Sequence, residues 1–118
     1  MGGFTKLDVW SETQTLAEMV YRLSATFPST ERFGLTQQVR RAAVSVSSNI
    51  AEGAGRGVPR SFYSFVRIAR GSLHELRSQM QFAIRLGFVA PALAQPVMNR
   101  ADRVSRMLSG ILRGECDR

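Results

Sequence analysis

The chain has 118 residues, 44% of them hydrophobic and 21% charged, with a formal charge of +7. This length fits one domain with a continuous core, and this composition excludes a disordered tail. The single cysteine, Cys116, excludes an internal disulfide, and no apolar run reaches the roughly 18 residues that a membrane span requires. We therefore expect a cytoplasmic protein.

The first two predicted helices cover about 7–27 and 36–53. Their core-facing residues recur at steps of three and four, as in amphipathic helices. These residues are Val9, Thr13, Leu16, Val20, Leu23 and Phe27 in the first helix, and Leu35, Val39, Ala42, Val46, Ile50 and Gly53 in the second. Pro28 closes the first helix, Thr36 is expected to cap the second, and the glycine-rich run 53–57 ends it.

The third and fourth predicted helices cover about 59–86 and 91–113. Their core-facing residues are Phe62, Val66, Ala69, Leu73, Leu76, Met80 and Ala83, then Leu93, Val97, Ala101, Val104, Leu108 and Ile111. The regular part of the fourth helix begins at Pro91 or at Pro96, because proline inside a helix removes a hydrogen bond. No stretch alternates like a strand. The pattern predicts an all-α fold, one antiparallel up-down-up-down four-helix bundle domain over 1–118.

One flank of the third helix is basic when residues are placed at 100° per step. We call the residues of this flank the basic stripe: Arg60, Tyr63, Arg67, Arg70, His74, Arg77, Gln81 and Arg85. No acidic residue of this helix interrupts it. The predicted nucleic-acid-binding residues are Arg56, Arg60, Tyr63, Arg67, Arg70, Arg77 and Arg85, because arginine forks suit phosphate. A merely solvated face, or an arginine excess set by genome composition, stays open as the alternative.

Other faces suggest structure and assembly. A polar cluster between the second and third helices is predicted from Asn49, Glu52, Ser72 and Glu75, with a ligand pocket as the alternative. Gly71 lies in the middle of a helix, which a close approach by another helix would explain. The predicted oligomer interface consists of Trp10, Tyr21, Ile68 and Phe82, large apolar residues outside the core stripes. Scattered exposed apolar residues are the alternative.

No catalytic, cofactor or metal site is predicted. The only histidine, His74, lacks the glutamate three residues earlier that a di-metal bundle site needs, since Gly71 stands there. The spacing of Arg67 and His74 resembles the Arg-x(4–6)-His motif of the HEPN ribonucleases, but Ile68 follows the arginine where that family usually has a polar residue. We expect a protein that is not an enzyme.

Two segments carry a signature: the run from Phe33 to Gly53, which contains Arg-Arg-Ala-Ala and Asn-Ile-Ala-Glu-Gly, and Ile68-Ala69-Arg70-Gly71-Ser72-Leu73-His74-Glu75-Leu76. In these residues the chain resembles the four helix bundle protein family, which includes proteins encoded in intervening sequences of bacterial large-subunit ribosomal RNA genes. The chain also resembles the accessory variability protein of diversity-generating retroelements. The resemblance implies a ring-shaped homopentamer and, for the retroelement relatives, binding of nucleic acid and of a protein partner, a reverse transcriptase.

The leading hypothesis is therefore a non-enzymatic, oligomeric accessory protein that binds RNA or DNA through a basic helix face. The second hypothesis is a protein-interaction scaffold whose arginines dock an acidic partner. The third is a ribonuclease that uses Arg67 and His74.

Overall fold

The computed structural model describes residues 4–116, so residues 1–3 and 117–118 of the predicted domain, and the side chain of Cys116, lie outside the described residues. It contains four helices, α1 (Lys6–Ser24), α2 (Leu35–Gly55), α3 (Pro59–Arg85) and α4 (Pro91–Cys116), with a short 3-10 turn at Ser29–Glu31. Between residues 4 and 116 no strand occurs. The predicted all-α fold is confirmed.

The helices pack in the ring order α1, α2, α3, α4, with α4 returning to α1. Ion pairs along the α3–α4 seam join Arg67 to Glu115 and Arg77 to Asp102. Residue numbers therefore rise along α3 while they fall along α4. This pattern is compatible with the predicted up-down-up-down arrangement. Within residues 4–116, none of the helices combines the length and apolar character needed to cross a membrane.

The core is built from the residues that the periodicity selected, with two differences. Every predicted core residue of α2 and α3 is buried. In α4, however, the prediction for Leu93 is wrong: this side chain is 61% exposed, and Ala94 is buried instead. Leu93 and Ala94 lie four and three residues before Val97, so helical spacing fits either, and the buried face of α4 passes through Ala94. In α1, Leu23 is only half-buried.

The structure tests the predicted starts of α2 and α4. The prediction that Thr36 caps α2 is wrong, because α2 begins one residue earlier, at Leu35. Its backbone N–H donates to Oε1 of Glu31 at 3.0 Å, so a carboxylate from the preceding turn satisfies it. The fourth helix begins at Pro91 and continues through Pro96, which costs one backbone hydrogen bond near an exposed helix start.

The start of α1 carries a reciprocal cap that links Thr5 and Asp8. The Thr5 hydroxyl accepts from the Asp8 backbone N–H at 3.0 Å, and the Asp8 carboxylate accepts from the Thr5 N–H at 2.9 Å. These hydrogen bonds lower the pKa of Asp8. The small stabilisation they give is present above the pKa of an unfolded aspartate and weakens as pH falls through the lower folded pKa.

Gly53 allows α2 and α3 to touch. A Cβ added there would lie 2.8 Å from the Cβ of Phe65 and 3.3 Å from the Cα of Phe62. Gly71 behaves differently: nothing in the described chain lies within 4 Å of a Cβ placed on it. No other helix of the described chain therefore approaches Gly71 closely, and an approach by a helix of another copy stays a prediction.

Gly87 ends α3 in a left-handed conformation, with φ of 78°. The Phe88 N–H donates to the Ala83 carbonyl at 2.9 Å and the Gly87 N–H donates to the Ile84 carbonyl at 3.0 Å, the hydrogen bonds of a Schellman cap.

We expect Gly87→Ala to lower the free energy of unfolding by about 1 kcal/mol, because an added Cβ is strained at this φ. Urea unfolding measures the change. Gly71 is the control, because it lies inside a helix and has open space around it. In the same assay Gly71→Ala should leave the free energy of unfolding equal or higher, and a loss of stability at both positions would contradict this account.

Candidate nucleic-acid interface

The basic stripe lies on the flank of α3 that faces α4. Its members are exposed or half-buried, and from Arg60 to Arg85 the stripe extends for about 38 Å along the helix axis. The core residues of α3 are fully enclosed on the neighbouring face. Amphipathicity therefore positions the stripe, because burying one face of α3 leaves this flank at the surface.

Two acidic residues of α4 reach the stripe, which the sequence pattern of α3 alone does not show. Arg67 Nη1 contacts Glu115 Oε1 at 2.5 Å, and Arg77 Nη2 contacts Asp102 Oδ1 at 2.8 Å. These side chains are a third to a half exposed, so each pair contributes at most about 1 kcal/mol to stability. Their main effect is to hold two arginines against α4 and to neutralise part of the stripe.

Three arginines of the stripe have no ion pair within residues 4–116. We call Arg60, Arg70 and Arg85 the unpaired arginines. On α4, Arg106 and Arg113 are likewise exposed and without an ion pair among the described residues. These two were missed, and placing α4 at 100° per step could have found them on the outer side of that helix.

The positive charge is concentrated in one half of the bundle. Helix α3 contains five arginines against Glu75, and α4 contains four arginines against Asp102 and Glu115. The two helices together therefore carry +6 of the chain's formal charge of +7. Helix α1, by contrast, has three acidic residues against two basic ones. The α3–α4 side is the one on which a polyanion meets the most favourable field.

Two further residues were predicted for this interface, Arg56 and Tyr63. Arg56 lies away from the basic stripe, whereas Tyr63 lies on it. Arg56 bonds Glu52 at 2.9 Å, and its guanidinium stands 5.3 Å from the ring centroid of Phe65, on the side of α3 that packs against α2. The structure therefore does not bring Arg56 to the stripe. Tyr63 lies on the stripe flank and is half-buried, with its ring 6.2 Å from that of Phe62.

The predicted polar cluster is only partly brought together. Ser45 Oγ and Ser72 Oγ lie 2.8 Å apart, and the Asn49 amide donates to the backbone carbonyl of Ser45 at 2.8 Å and to its hydroxyl at 3.1 Å. Glu52 and Glu75 are exposed and bond residues of their own helical turns, Arg56 and Gln79. The cluster is thus a small, satisfied contact between α2 and α3.

The predicted interface residues form two separate groups. Trp10 and Tyr21 on α1 are 37% and 45% exposed, and Ile68 and Phe82 on α3 are 52% and 54% exposed. Because α1 and α3 lie diagonally across the bundle, the two groups lie on different sides of it. The Tyr21 ring also carries the Arg40 guanidinium, 4.6 Å from its centroid.

Groups suited to catalysis are sparse. His74 is exposed on the stripe, two turns from Arg67, whose guanidinium is bound to Glu115. Within the described residues, no three metal-ligating side chains cluster.

A cavity of about 770 Å³ lies where α2 begins and α3 ends, lined by Gln38, Gln79 and Phe82 among others. The Gln79 Oε1 atom is buried there without a hydrogen bond in the described chain.

The fold and the stripe together define a small helical bundle with one basic side. The chain belongs to the 23S rRNA-intervening sequence protein family, whose family model matches residues 5–110. The resemblance drawn from the Phe33–Gly53 signature is thereby confirmed. No curated protein matches the sequence significantly.

Among solved structures, the chain is similar to a protein of unknown function from the S23 ribosomal protein family of Bacteroides thetaiotaomicron. The TM-score is 0.84 at 17% sequence identity, and the match covers 92% of this chain and 97% of that chain. At this identity the likeness shows the fold alone.

Proposed function

We propose that this chain is a cytoplasmic, non-enzymatic accessory protein that binds nucleic acid through the basic stripe. The observation that carries the proposal is the concentration of charge: α3 and α4 together hold +6 of the formal +7. We infer an up-down-up-down bundle as the scaffold, because consecutive helices are joined by short connections.

The geometry of the stripe suits a phosphate backbone. Arg60, Arg70 and Arg85 are separated by about 15 and 22 Å along the helix axis, so they can contact phosphates distributed along about one turn of a duplex. None is tied to a carboxylate of the described chain. A phosphate can therefore approach each guanidinium without first breaking an ion pair.

RNA is the first polyanion to test. The family name, 23S rRNA-intervening sequence protein, refers to ribosomal RNA genes, which makes RNA the first choice of probe. The stripe itself suits the backbone that RNA and DNA share.

Salt dependence is the direct test of this proposal. We expect a fluorescently labelled RNA duplex to bind at 50 mM salt and to lose affinity steeply by 200 mM, because phosphate contacts release counterions. A plot of log K against log salt should have a slope near −3, about −0.9 for each of the three unpaired arginines. Fluorescence anisotropy measures it. Absence of binding by micromolar protein at 50 mM salt would refute the proposal.

Docking of an acidic protein is the second candidate, because the same unpaired arginines complement carboxylates. A pull-down with and without nuclease distinguishes binding of an acidic protein from binding of nucleic acid. Partners that survive nuclease favour the scaffold, and partners lost with it favour nucleic acid. A reverse transcriptase, implied by resemblance to the retroelement proteins, is one such partner.

We also propose that copies of the chain assemble, as a homopentamer by the resemblance. The exposed apolar groups Trp10 with Tyr21 and Ile68 with Phe82 support assembly, since two separate apolar patches on one chain can join successive copies around a ring. Light scattering measures the mass of the particle. No catalytic role is proposed for His74, because Arg67, its partner in the Arg-x(4–6)-His spacing, is held by Glu115.

A further inference from the structure

A cationic cavity lies where α1 ends and α2 begins, away from the basic stripe. Its volume is about 380 Å³. It is lined by Tyr21, Arg32, Phe33, Thr36, Gln37, Arg40 and Arg41. No carboxylate is among the lining residues, although the chain has nine acidic residues. Three arginines around one cavity without a counter-charge favour an anionic occupant.

Arg40 is held in place within this cavity. Its Nε donates to the Ser24 hydroxyl at 2.8 Å, its Nη2 donates to the Tyr21 carbonyl at 3.1 Å, and its guanidinium covers the Tyr21 ring at 4.6 Å. Two of its five N–H groups are therefore used, and the fixed guanidinium can offer others to a ligand. Arg32 and Arg41 have no ion pair in the described part of the chain.

Phe33 gives the cavity an open aromatic surface. Its side chain is 82% exposed, the highest exposure among the large hydrophobic residues described. The Arg32 guanidinium lies over the ring, 5.3 Å from its centroid. Because that contact shields one face at most, the other face can accept a planar group by stacking. Base–aromatic stacking contributes about 1–3 kcal/mol per base and tolerates any sequence.

Two neutral polar groups complete the lining. Thr36 is only 8% exposed, and its hydroxyl, which makes no hydrogen bond within the described chain, keeps some contact with solvent. The Gln37 amide is exposed and also without a hydrogen bond among the described residues. Both can donate to and accept from the edge or ribose of a nucleotide.

We propose that this cavity binds one unpaired nucleotide of a single-stranded nucleic acid, with its base stacked on Phe33 and its phosphate on Arg32, Arg40 and Arg41. A base held in a duplex cannot stack on a protein ring without being unpaired, so the cavity selects single strands or ends. This inference rests on the proposed function. It assigns strand preference to the α1–α2 end, whereas the basic stripe reads only the backbone.

The test compares a labelled, unstructured 12-nucleotide RNA with a duplex of the same sequence and with AMP. We expect Phe33→Leu, which keeps an apolar side chain but removes the ring, to weaken single-strand binding about tenfold and to leave duplex binding within about twofold. Arg41→Gln should weaken the single strand similarly. Matched controls are Leu93→Ala, an exposed apolar side chain outside the cavity, and Arg22→Gln, an exposed arginine outside it; both should leave the strand affinity unchanged.

Five results overturn the inference. Equal loss for strand and duplex in Phe33→Leu removes the strand preference, and no loss for either removes the site. Binding of AMP as tight as that of the strand assigns the cavity to a free nucleotide. If light scattering shows that Phe33→Leu changes the mass of the particle, Phe33 belongs to a contact between copies. If neither RNA binds at 50 mM salt, the proposed function fails as well, whereas duplex binding that depends on the unpaired arginines leaves it standing.

Discussion

We expect the triple variant Arg60→Glu, Arg70→Glu and Arg85→Glu to bind duplex RNA at least about 100-fold more weakly than the unmodified protein. Each substitution removes one phosphate contact and adds a negative charge beside the polyanion. The salt slope should also become shallower by nearly 3, since about 0.9 is lost for each contact. Anisotropy titrations at several salt concentrations measure both quantities.

The choice of arginines follows from the ion pairs. Arg67 and Arg77 are held by Glu115 and Asp102, so reversing them would also break the α3–α4 seam and confuse binding with folding. The unpaired arginines avoid this, and circular dichroism should show unchanged helicity. As a charge-matched control, Arg22→Glu on α1 alters the net charge as much as Arg70→Glu does but should reduce affinity far less. Equal losses for these two single variants would mean that net charge alone drives binding.

Gly53→Ala should lower the free energy of unfolding by about 1–3 kcal/mol, the usual cost of overpacking. The new Cβ would lie 2.8 Å from the Phe65 Cβ and 3.3 Å from the Phe62 Cα. Neither atom can move away by a rotamer change, because one is backbone and the other is the first carbon of its side chain. The helices α2 and α3 must therefore separate by several tenths of an ångström. Urea unfolding followed by circular dichroism measures the loss.

Gly55→Ala is the matched control for this prediction. Gly55 is in the same helix, two residues along, and nothing lies within 4 Å of a Cβ built on it. Alanine has the higher helix propensity, so this variant should be neutral or more stable by up to about 1 kcal/mol. Opposite signs at the two glycines identify the close contact as the cause, and equal losses would contradict it.

Much of the fold could be predicted because it depends on local periodicity. A stripe of apolar residues at steps of three and four must be buried, and α2 and α3 show this at every predicted position. The failures are at helix ends. Thr36 resembles a cap, but Glu31 in the preceding turn satisfies the first N–H of α2. Leu93 has the right spacing, but so does Ala94, and the buried face of α4 passes through Ala94.

The surface could be predicted only in part, because charge is paired between helices. The stripe on α3 follows from one helix alone, whereas the partner of Arg67 is 48 residues away on another helix. The periodicity of each helix does not show which residues of the two helices meet. Arg56 differs, because its partner Glu52 lies only four residues earlier, a spacing that the sequence alone shows. The cavity around Phe33 depends on how α1 packs on α2, since Tyr21 and Arg41 come from different helices.

The connection between α2 and α3 consists of residues 56–58 alone, with Gly57 in the left-handed conformation at φ of 70°. These two helices also share the most extensive helix–helix contact of the described chain. Closing so short a loop removes little chain entropy, and contacts between residues near in sequence form fastest. The α2–α3 hairpin is thus the part of the molecule that can form first, as a template onto which α1 and α4 dock from opposite ends of the chain.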